Sequence, residues 1–174
     1  MSSHAKGTRT HPIGSPLRGR GILSEREHDA YRMRRKPPEP SVCPDCRAVF
    51  HGGRWQWLAT PPGAHEQMCP ACRRVRDHFP AGYLWLQGEF FETHRTEVLA
   101  LVHARATHVK TEHPLERIMD IEEQPPDEGG GLLVTTTDPH LARGIGEAVR
   151  EAWKGELRFH YEQGQTLLRV HWKR

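Results

Sequence analysis

The chain has 174 residues, of which 36% are hydrophobic, 25 are Lys or Arg and 22 are Asp or Glu. This length suits a small metal module joined to one compact domain, and this composition excludes a wholly disordered chain. No apolar run is long enough to span a membrane, and the first 20 residues lack the apolar segment of a signal peptide, so we expect a cytoplasmic protein.

Residues 1–40 form a basic segment. They hold nine Lys/Arg and four Asp/Glu, whereas residues 41–174 hold 16 Lys/Arg and 18 Asp/Glu. Ser24 and Glu27 have capping-box spacing, which predicts a short helix running to Lys36 when a partner docks against it. The segment is otherwise expected to be mostly disordered. A basic arm is typical of nucleic-acid binding, and a solvated tail without a partner is the alternative. Its candidate RNA contacts are Arg32, Arg34, Arg35 and Lys36.

Residues 41–78 contain all four cysteines, in two C-P-x-C pairs separated by 22 residues. Two cysteines three apart can place both sulfurs on one ion, and thiols stay reduced in the cytoplasm, so a metal is favoured over disulfides. Four thiolates make a closed tetrahedral site, which is structural. Iron in a rubredoxin-like site is the rival to zinc, and a dithiol redox pair is a weaker alternative. The predicted ligands of one Zn²⁺ are Cys43, Cys46, Cys69 and Cys72.

The segment between the two cysteine pairs predicts a hairpin. Val49 and Phe50 lie before a Gly52-Gly53 turn, and Trp55 and Trp57 follow it. A short helix is expected directly after the last cysteine. A cysteine-pair turn (zinc knuckle), then a hairpin, then a second knuckle that continues into a helix is the element order of a treble-clef zinc fold. A zinc ribbon is the alternative fold for this module. The module is too small to be stable alone, so metal binding is its main source of order. Arg73, Arg74 and Arg76 either contact phosphate or compensate the charge of the metal site.

Residues 79–174 alternate strand and helix patterns. The element order β-α-β-β-α-β-β predicts an α+β sandwich close to the ferredoxin-like plan, with one additional strand. Asp138 is a helix cap before Pro139, and Gly144 and Gly146 inside that helix predict a close approach to the sheet or to a partner. Strands are predicted at residues 83–87, 115–122 and 132–137 and in two final segments, and helices at residues 89–106 and from Pro139 to Gly155.

The two final strands alternate apolar and basic residues. We expect the apolar side chains to face the helices, which leaves an open basic sheet face as a candidate RNA platform. This face lacks the exposed aromatic residues that stack bases, and no RNP1-type run is present, so the domain is not an RRM. A solvated sheet face is the alternative. The apolar set is Leu157, Phe159, Tyr161, Leu168, Val170 and Trp172. The opposite set is Arg158, His160, Arg169, His171 and Lys173, of which Arg158, Arg169 and Lys173 are candidate RNA contacts.

The sequence contains no convincing catalytic set. Its 13 histidines are scattered, and His94 beside Phe90 and Phe91 is best explained as a core histidine. G-x-S-x-G, Walker and G-x-G-x-x-G motifs are absent. We therefore expect a protein that is not an enzyme and has no small-molecule substrate.

Several motifs together resemble a small bacterial family related to the nonsense-mediated-decay-type export adaptor of the large ribosomal subunit. They are CPDC at residues 43–46, CPACRR at 69–74, PAGYL at 80–84, LQGEF at 86–90, His94-Arg95, PLERI at 114–118, Thr136-Thr137 and HLARGIG at 140–146. The resemblance covers residues 41–174 and implies association with the large ribosomal subunit or with RNA, in translation quality control or dormancy (ribosome hibernation). The further metal knuckles and domains of the larger relatives are absent, so an export role is not implied. Arg47 also stands where such knuckles often carry glycine.

Two functions follow. The first is a non-enzymatic, zinc-stabilised protein that binds the ribosome or ribosomal RNA through its basic residues. The second is a protein-interaction adaptor in which Trp55 and Trp57 dock a protein and RNA plays no part. Deleting residues 1–40 would weaken binding in the first case and change little in the second.

Overall fold

A computed structural model describes Asp29, Tyr31, Met33 and residues 35–161 and 167–174. The predicted capping box at Ser24 and Glu27 lies outside these residues. Tyr31, Met33, Arg35 and Lys36 are not helical, so the helix predicted to form on docking of a partner stays a prediction. The Tyr31 ring instead stacks on the Phe79 ring, with centroids 5.5 Å apart, so this segment packs against the cysteine module.

The cysteine module is a small sheet followed by a helix. The strand order is β3-β2-β1-β4, with β1 antiparallel to β2 and parallel to β4. Gly52 and Gly53 form the predicted hairpin turn with φ of 60° and 77°, and both N–H groups donate to the Glu39 carboxylate, at 2.7 and 3.0 Å. The predicted hairpin and helix are therefore confirmed. The elements are β1 (Ser41–Val42), β2 (Val49–His51), β3 (Arg54–Gln56), β4 (His65–Glu66) and α1 (Pro70–Arg76).

The remainder of the chain is an α+β domain whose elements follow the predicted order. They are β5 (Gly82–Gln87), α2 (Glu89–Thr93), α3 (Arg95–Glu112), β6 (Ile118–Glu123), β7 (Leu132–Thr136), α4 (Pro139–Trp153), β8 (Glu156–Tyr161) and β9 (Leu168–Lys173). The sheet order is β6-β7-β5-β9-β8, and every neighbouring pair is antiparallel except β5 and β9. The last strand therefore does not extend an edge: it lies between β5 and β8.

The core lies between one face of this sheet and helices α3 and α4. Phe91 of α2 and Val98, Val102 and Ala106 of α3 are buried in this core. The single helix predicted over residues 89–106 is divided at His94, whose φ is −124°. The His94 ring stacks on Phe90 at 4.0 Å and its Nδ1 lies 3.0 Å from the Phe90 carbonyl oxygen, which explains this histidine structurally. None of the helices in the described part of the chain is long and apolar enough to cross a membrane.

Helix α4 begins as its sequence predicts and lies close to the sheet. The Asp138 carboxylate accepts a hydrogen bond from the His140 N–H at 2.7 Å, and Pro139 occupies the first turn. A Cβ at Gly146 would lie 2.8 Å from Val170 Cγ1, whereas the nearest atom to a Cβ at Gly144 would be 3.8 Å away. Only Gly146 is therefore required for the close approach.

This difference makes the two glycines a matched pair. Gly144→Ala should stabilise the protein by up to about 1 kcal/mol, since alanine is the better helix former. Gly146→Ala should lose about 1–3 kcal/mol to overpacking against β-branched Val170, only partly offset by the same propensity gain. Urea unfolding followed by far-UV dichroism measures both changes. Equal stabilisation by the two substitutions would show that α4 does not need its glycine against the sheet.

Candidate metal centre and basic sheet face

The four cysteines meet at one point. Their sulfur atoms all lie within 4.8 Å of one another, and none of the cysteines is in a disulfide. The Cys46 and Cys69 sulfurs are 3.7 Å apart, close to the roughly 3.8 Å edge of a tetrahedron with Zn–S bonds of about 2.3 Å. The four cysteines are thus placed to hold one metal ion.

Backbone N–H groups of the second C-P-x-C turn donate hydrogen bonds to two of the sulfurs. Cys69 caps α1 and its sulfur accepts from the Cys72 N–H at 3.3 Å, while the Cys43 sulfur accepts from the Cys69 N–H at 3.4 Å. Arg47 closes the first turn with its N–H on the Cys43 carbonyl at 3.0 Å. Its φ of 66° explains why glycine suits this position.

Arg117 is a fifth member of the site that the sequence interpretation missed. It lies just before β6, and its Nη2 is 3.3 Å from the Cys72 sulfur and 3.7 Å from the Cys69 sulfur. Burial alone would lower the pKa of Arg117, but the hydrogen bond to Cys72 and the sulfur charges raise the pKa overall. The guanidinium therefore stays charged and connects the α+β domain to the metal ligands. Arg117 belongs to the PLERI stretch at 114–118, but no residue type or spacing in that stretch indicates a contact with sulfur.

The sulfurs are too close for all four to ionise unless a cation is bound. The hydrogen bond with Cys69 lowers the pKa of Cys46 to about 4. The same hydrogen bond, with burial, raises the pKa of Cys69 above the usual range, and burial raises the pKa of Cys72. A bound dication would favour the thiolate at each position, so metal binding should release protons and weaken in acid.

Arg117→Met should weaken metal binding by about 10–100-fold, because groups hydrogen-bonded to metal ligands contribute effects of this size. Loss of its positive charge disfavours thiolates, so acid release of the metal should begin at higher pH than in the unmodified protein. Titration with a chromophoric chelator at several pH values measures both effects.

Arg105→Met, at an exposed position of α3, is the control and should bind metal normally. Unchanged affinity and an unchanged release pH in Arg117→Met would remove Arg117 from the site.

The three arginines of α1 have different environments. Arg74 is only 4% exposed: it forms an ion pair with Asp29, lies 4.5 Å above the Tyr31 ring and donates to the Phe79 carbonyl at 3.1 Å. The prediction that Arg74 contacts phosphate is therefore wrong, because its guanidinium holds the N-terminal segment to the module. Arg76 is exposed and pairs with Asp45 at 3.0 Å, and Arg73 is partly exposed, so their RNA contacts stay predictions.

The basic residues before the module are only partly described. Arg35 and Lys36 are exposed, and Arg32 and Arg34 lie outside the described residues. The segment that follows them is attached to the module, since Pro37 is buried and the Glu39 carboxylate binds the hairpin turn.

The two hairpin tryptophans, proposed as anchors for a protein partner, both have partners within the chain. Trp55 is 8% exposed and its ring lies 5.5 Å from Phe50. Trp57 is 37% exposed, but its Nε1 donates to the Lys110 carbonyl of α3 at 2.6 Å. The adaptor interpretation therefore loses most of its support.

The two final strands place their residues largely as predicted. Leu168, Val170 and Trp172 are fully buried toward the helices. Phe159 and Tyr161 lie on the same side but are 38% and 48% exposed, because β8 is an edge strand. The basic set lies on the opposite side: Arg158 faces His171 across the β8–β9 pair, Arg169 faces His160, and Lys173 continues the same row.

The expectation that this open face lacks base-stacking aromatic residues is wrong. Tyr83 and Trp85 of β5 face Arg169 and His171 of β9, and neither belongs to the hydrophobic core. Along β5 these two aromatic residues alternate with Leu84 and Leu86, which are buried in the core on the other face.

Acidic residues occupy the other side of the same face. In the sheet register, Asp120 and Glu122 of edge strand β6 lie beside Thr135 and Leu133, which in turn face Tyr83 and Trp85. Both carboxylates are exposed. The open face is therefore basic over β8 and β9, aromatic in the centre and acidic over β6.

The chain matches no protein-family model, no curated protein and no solved structure. The resemblance to the ribosomal export-adaptor relatives therefore stays an expectation.

Proposed function

We propose that the protein is a non-enzymatic RNA-binding protein stabilised by one structural zinc ion, and that it contacts the large ribosomal subunit in translation quality control or dormancy. The observation that carries the RNA part is the basic half of the open sheet face. The ribosomal part rests on the sequence resemblance, and the cysteine cluster would stabilise the molecule rather than react.

The basic half of the open face suits phosphate because its cations share a rigid surface. Arg158 and Arg169 lie on neighbouring strands, which are about 4.8 Å apart in a sheet, and Lys173 continues the row along β9. Arg158 pairs with Glu156, but both side chains are exposed, and an exposed pair contributes little, so phosphate can compete for the arginine.

Zinc in a treble-clef arrangement fits the module better than catalytic metal does. Four thiolates fill a tetrahedral site and leave no position for water or substrate. The metal would instead fix α1, with Arg73 and Arg76 beside it, against the α+β domain. We propose that this second domain is a variant of the ferredoxin-like plan with β9 inserted in its sheet.

Co-sedimentation with ribosomes and separated subunits tests the proposal. The zinc-loaded protein should migrate with the large subunit at low salt, and its affinity should fall by roughly 0.7 log units per phosphate contact for each tenfold rise in salt. Lys173→Glu should weaken binding and reduce the salt slope by about 0.7, the contribution of one phosphate contact. Lys110→Glu, an exposed lysine of α3, is the matched control. Absence of co-migration at any salt would contradict the proposal, and salt-insensitive binding would indicate a protein contact.

To test whether the basic arm contributes to RNA binding, the deletion must be shorter than residues 1–40. Asp29 binds Arg74, and Glu39 binds the hairpin turn, so removing them would damage the module itself. Deleting residues 1–28 removes five Lys/Arg and keeps these contacts. If the arm contacts RNA, this variant should bind the large subunit more weakly at low salt with an unchanged metal content.

A further inference from the structure

We infer that the open face of the five-stranded sheet binds single-stranded RNA, with the phosphates over β8 and β9 and the bases against the aromatic rings of β5. This inference rests on the proposed RNA binding and adds the strand state of the RNA and its orientation on the sheet.

The centre of the face carries a row of nearly parallel rings. Trp85 stacks on Tyr83 with centroids 5.8 Å apart and planes 15° apart, and on His171 with centroids 4.3 Å apart and planes 5° apart. Tyr83 and Trp85 are both only partly buried, so part of each side chain is accessible to a ligand. Unpaired bases stack on such surfaces, and stacking tolerates any base because every base has a flat face.

The rings are held in place before any ligand binds. They belong to neighbouring central strands, where Tyr83 faces Arg169 and Trp85 faces His171, and the Arg169 guanidinium lies 5.3 Å from the Tyr83 ring centroid. Burial, with the positive charges of Arg169 and Arg158, lowers the pKa of His171, which favours the neutral imidazole in the stack with Trp85. A prearranged surface loses less conformational freedom on binding.

The charge pattern favours one strand over two. A single strand can place its phosphates on the basic half and direct its bases inward to the rings. A duplex carries phosphates along both sides, so one backbone would approach exposed Asp120 and Glu122 on β6. Its bases are also stacked on one another and cannot reach the aromatic rings.

Fluorescence anisotropy with the full-length, zinc-loaded protein tests this inference. The ligands are a labelled 12-nucleotide mixed-sequence RNA and the same RNA annealed to its complement. The single strand should bind at least tenfold more tightly than the duplex. Trp85→Ala should weaken single-strand binding about tenfold, the size typical of losing one stacked base, and Trp85→Phe should retain most of the affinity.

Phe159→Ala is the matched control, since Phe159 is an exposed aromatic residue on the other side of the same sheet. Its affinity should be unchanged, and Glu122→Gln should bind at least as tightly as the original protein. Thermal unfolding and metal content confirm that each variant is folded.

The outcomes separate this inference from the proposed function. Equal affinity for duplex and single strand, or unchanged binding by folded Trp85→Ala, overturns the inference alone. Failure to bind either RNA, together with no co-migration with ribosomes, overturns both, and the aromatic row would then fit a protein ligand.

Discussion

Replacing Cys69 with serine should unfold the cysteine module and leave the five-stranded sheet folded. The core of the module consists mainly of the cysteines with Ala48, Phe50, Trp55 and Ala71. So few apolar residues cannot offset the loss of chain entropy, whereas structural zinc contributes roughly 10–16 kcal/mol of apparent binding free energy in small zinc domains. The sheet has a separate core of 15 buried residues, which does not depend on the metal.

The measurement is near-UV dichroism, with elemental analysis for zinc. Trp55 and Trp57 lie in or beside the module, so Cys69→Ser should lose part of the aromatic signal and nearly all the metal, while far-UV dichroism of the helices is largely kept. Asp45→Asn is the control, because it changes the first cysteine turn and keeps all four ligands. An unchanged near-UV spectrum in metal-free Cys69→Ser would mean that the module folds without the ion.

Trp172→Ala should destabilise the α+β domain by about 3–5 kcal/mol, the usual range for deleting a buried aromatic side chain. The Trp172 side chain is fully buried, its ring meets Phe90 edge-on at 6.4 Å, and its Nε1 donates to the Lys154 carbonyl at 2.7 Å. The substitution therefore leaves both a cavity and an unsatisfied carbonyl.

Trp85→Ala is the natural comparison, because Trp85 lies on the open face of the neighbouring strand. It should lose about 0.5–1.5 kcal/mol, the contribution of aromatic pairing with Tyr83 and His171. Urea unfolding followed by far-UV dichroism measures both free energies. Similar losses for the two variants would mean that the open face is as well packed as the core, and a free ligand surface would then be excluded.

Features set by neighbouring residues could be predicted from the sequence. The cysteine ligands follow from spacing, the start of α4 follows from Asp138 and Pro139, and the element order follows from hydrophobic periodicity. Each of these signals depends on residues a few positions apart.

Features set by contacts between distant residues could not be predicted from the sequence. Arg73 and Arg74 are adjacent residues of the same type. Contacts with Asp29, 45 residues earlier, and with the Tyr31 ring distinguish the buried Arg74 from the partly exposed Arg73. Arg117 joins the metal site in the same way, 45 residues after Cys72. The face on which Tyr83 and Trp85 lie depends on which side of β5 the helices cover, and aromatic residues in an apolar run are equally typical of a core.

The position of β9 also affects how the protein is made. The cysteine module can fold as soon as Cys72 and α1 have left the ribosomal exit tunnel. Strand β5 first gains β7, where Gly82 faces Thr136, but its other neighbour, β9, is the last strand to be synthesised, where Gly82 faces Leu168. Until then the N–H and C=O groups along one edge of β5 are unpaired, and the apolar surface that β9 covers is exposed. Such non-local pairing is slow to form, and open edges promote aggregation, so the half-finished sheet is the stage of biosynthesis at which this chain most needs chaperone protection.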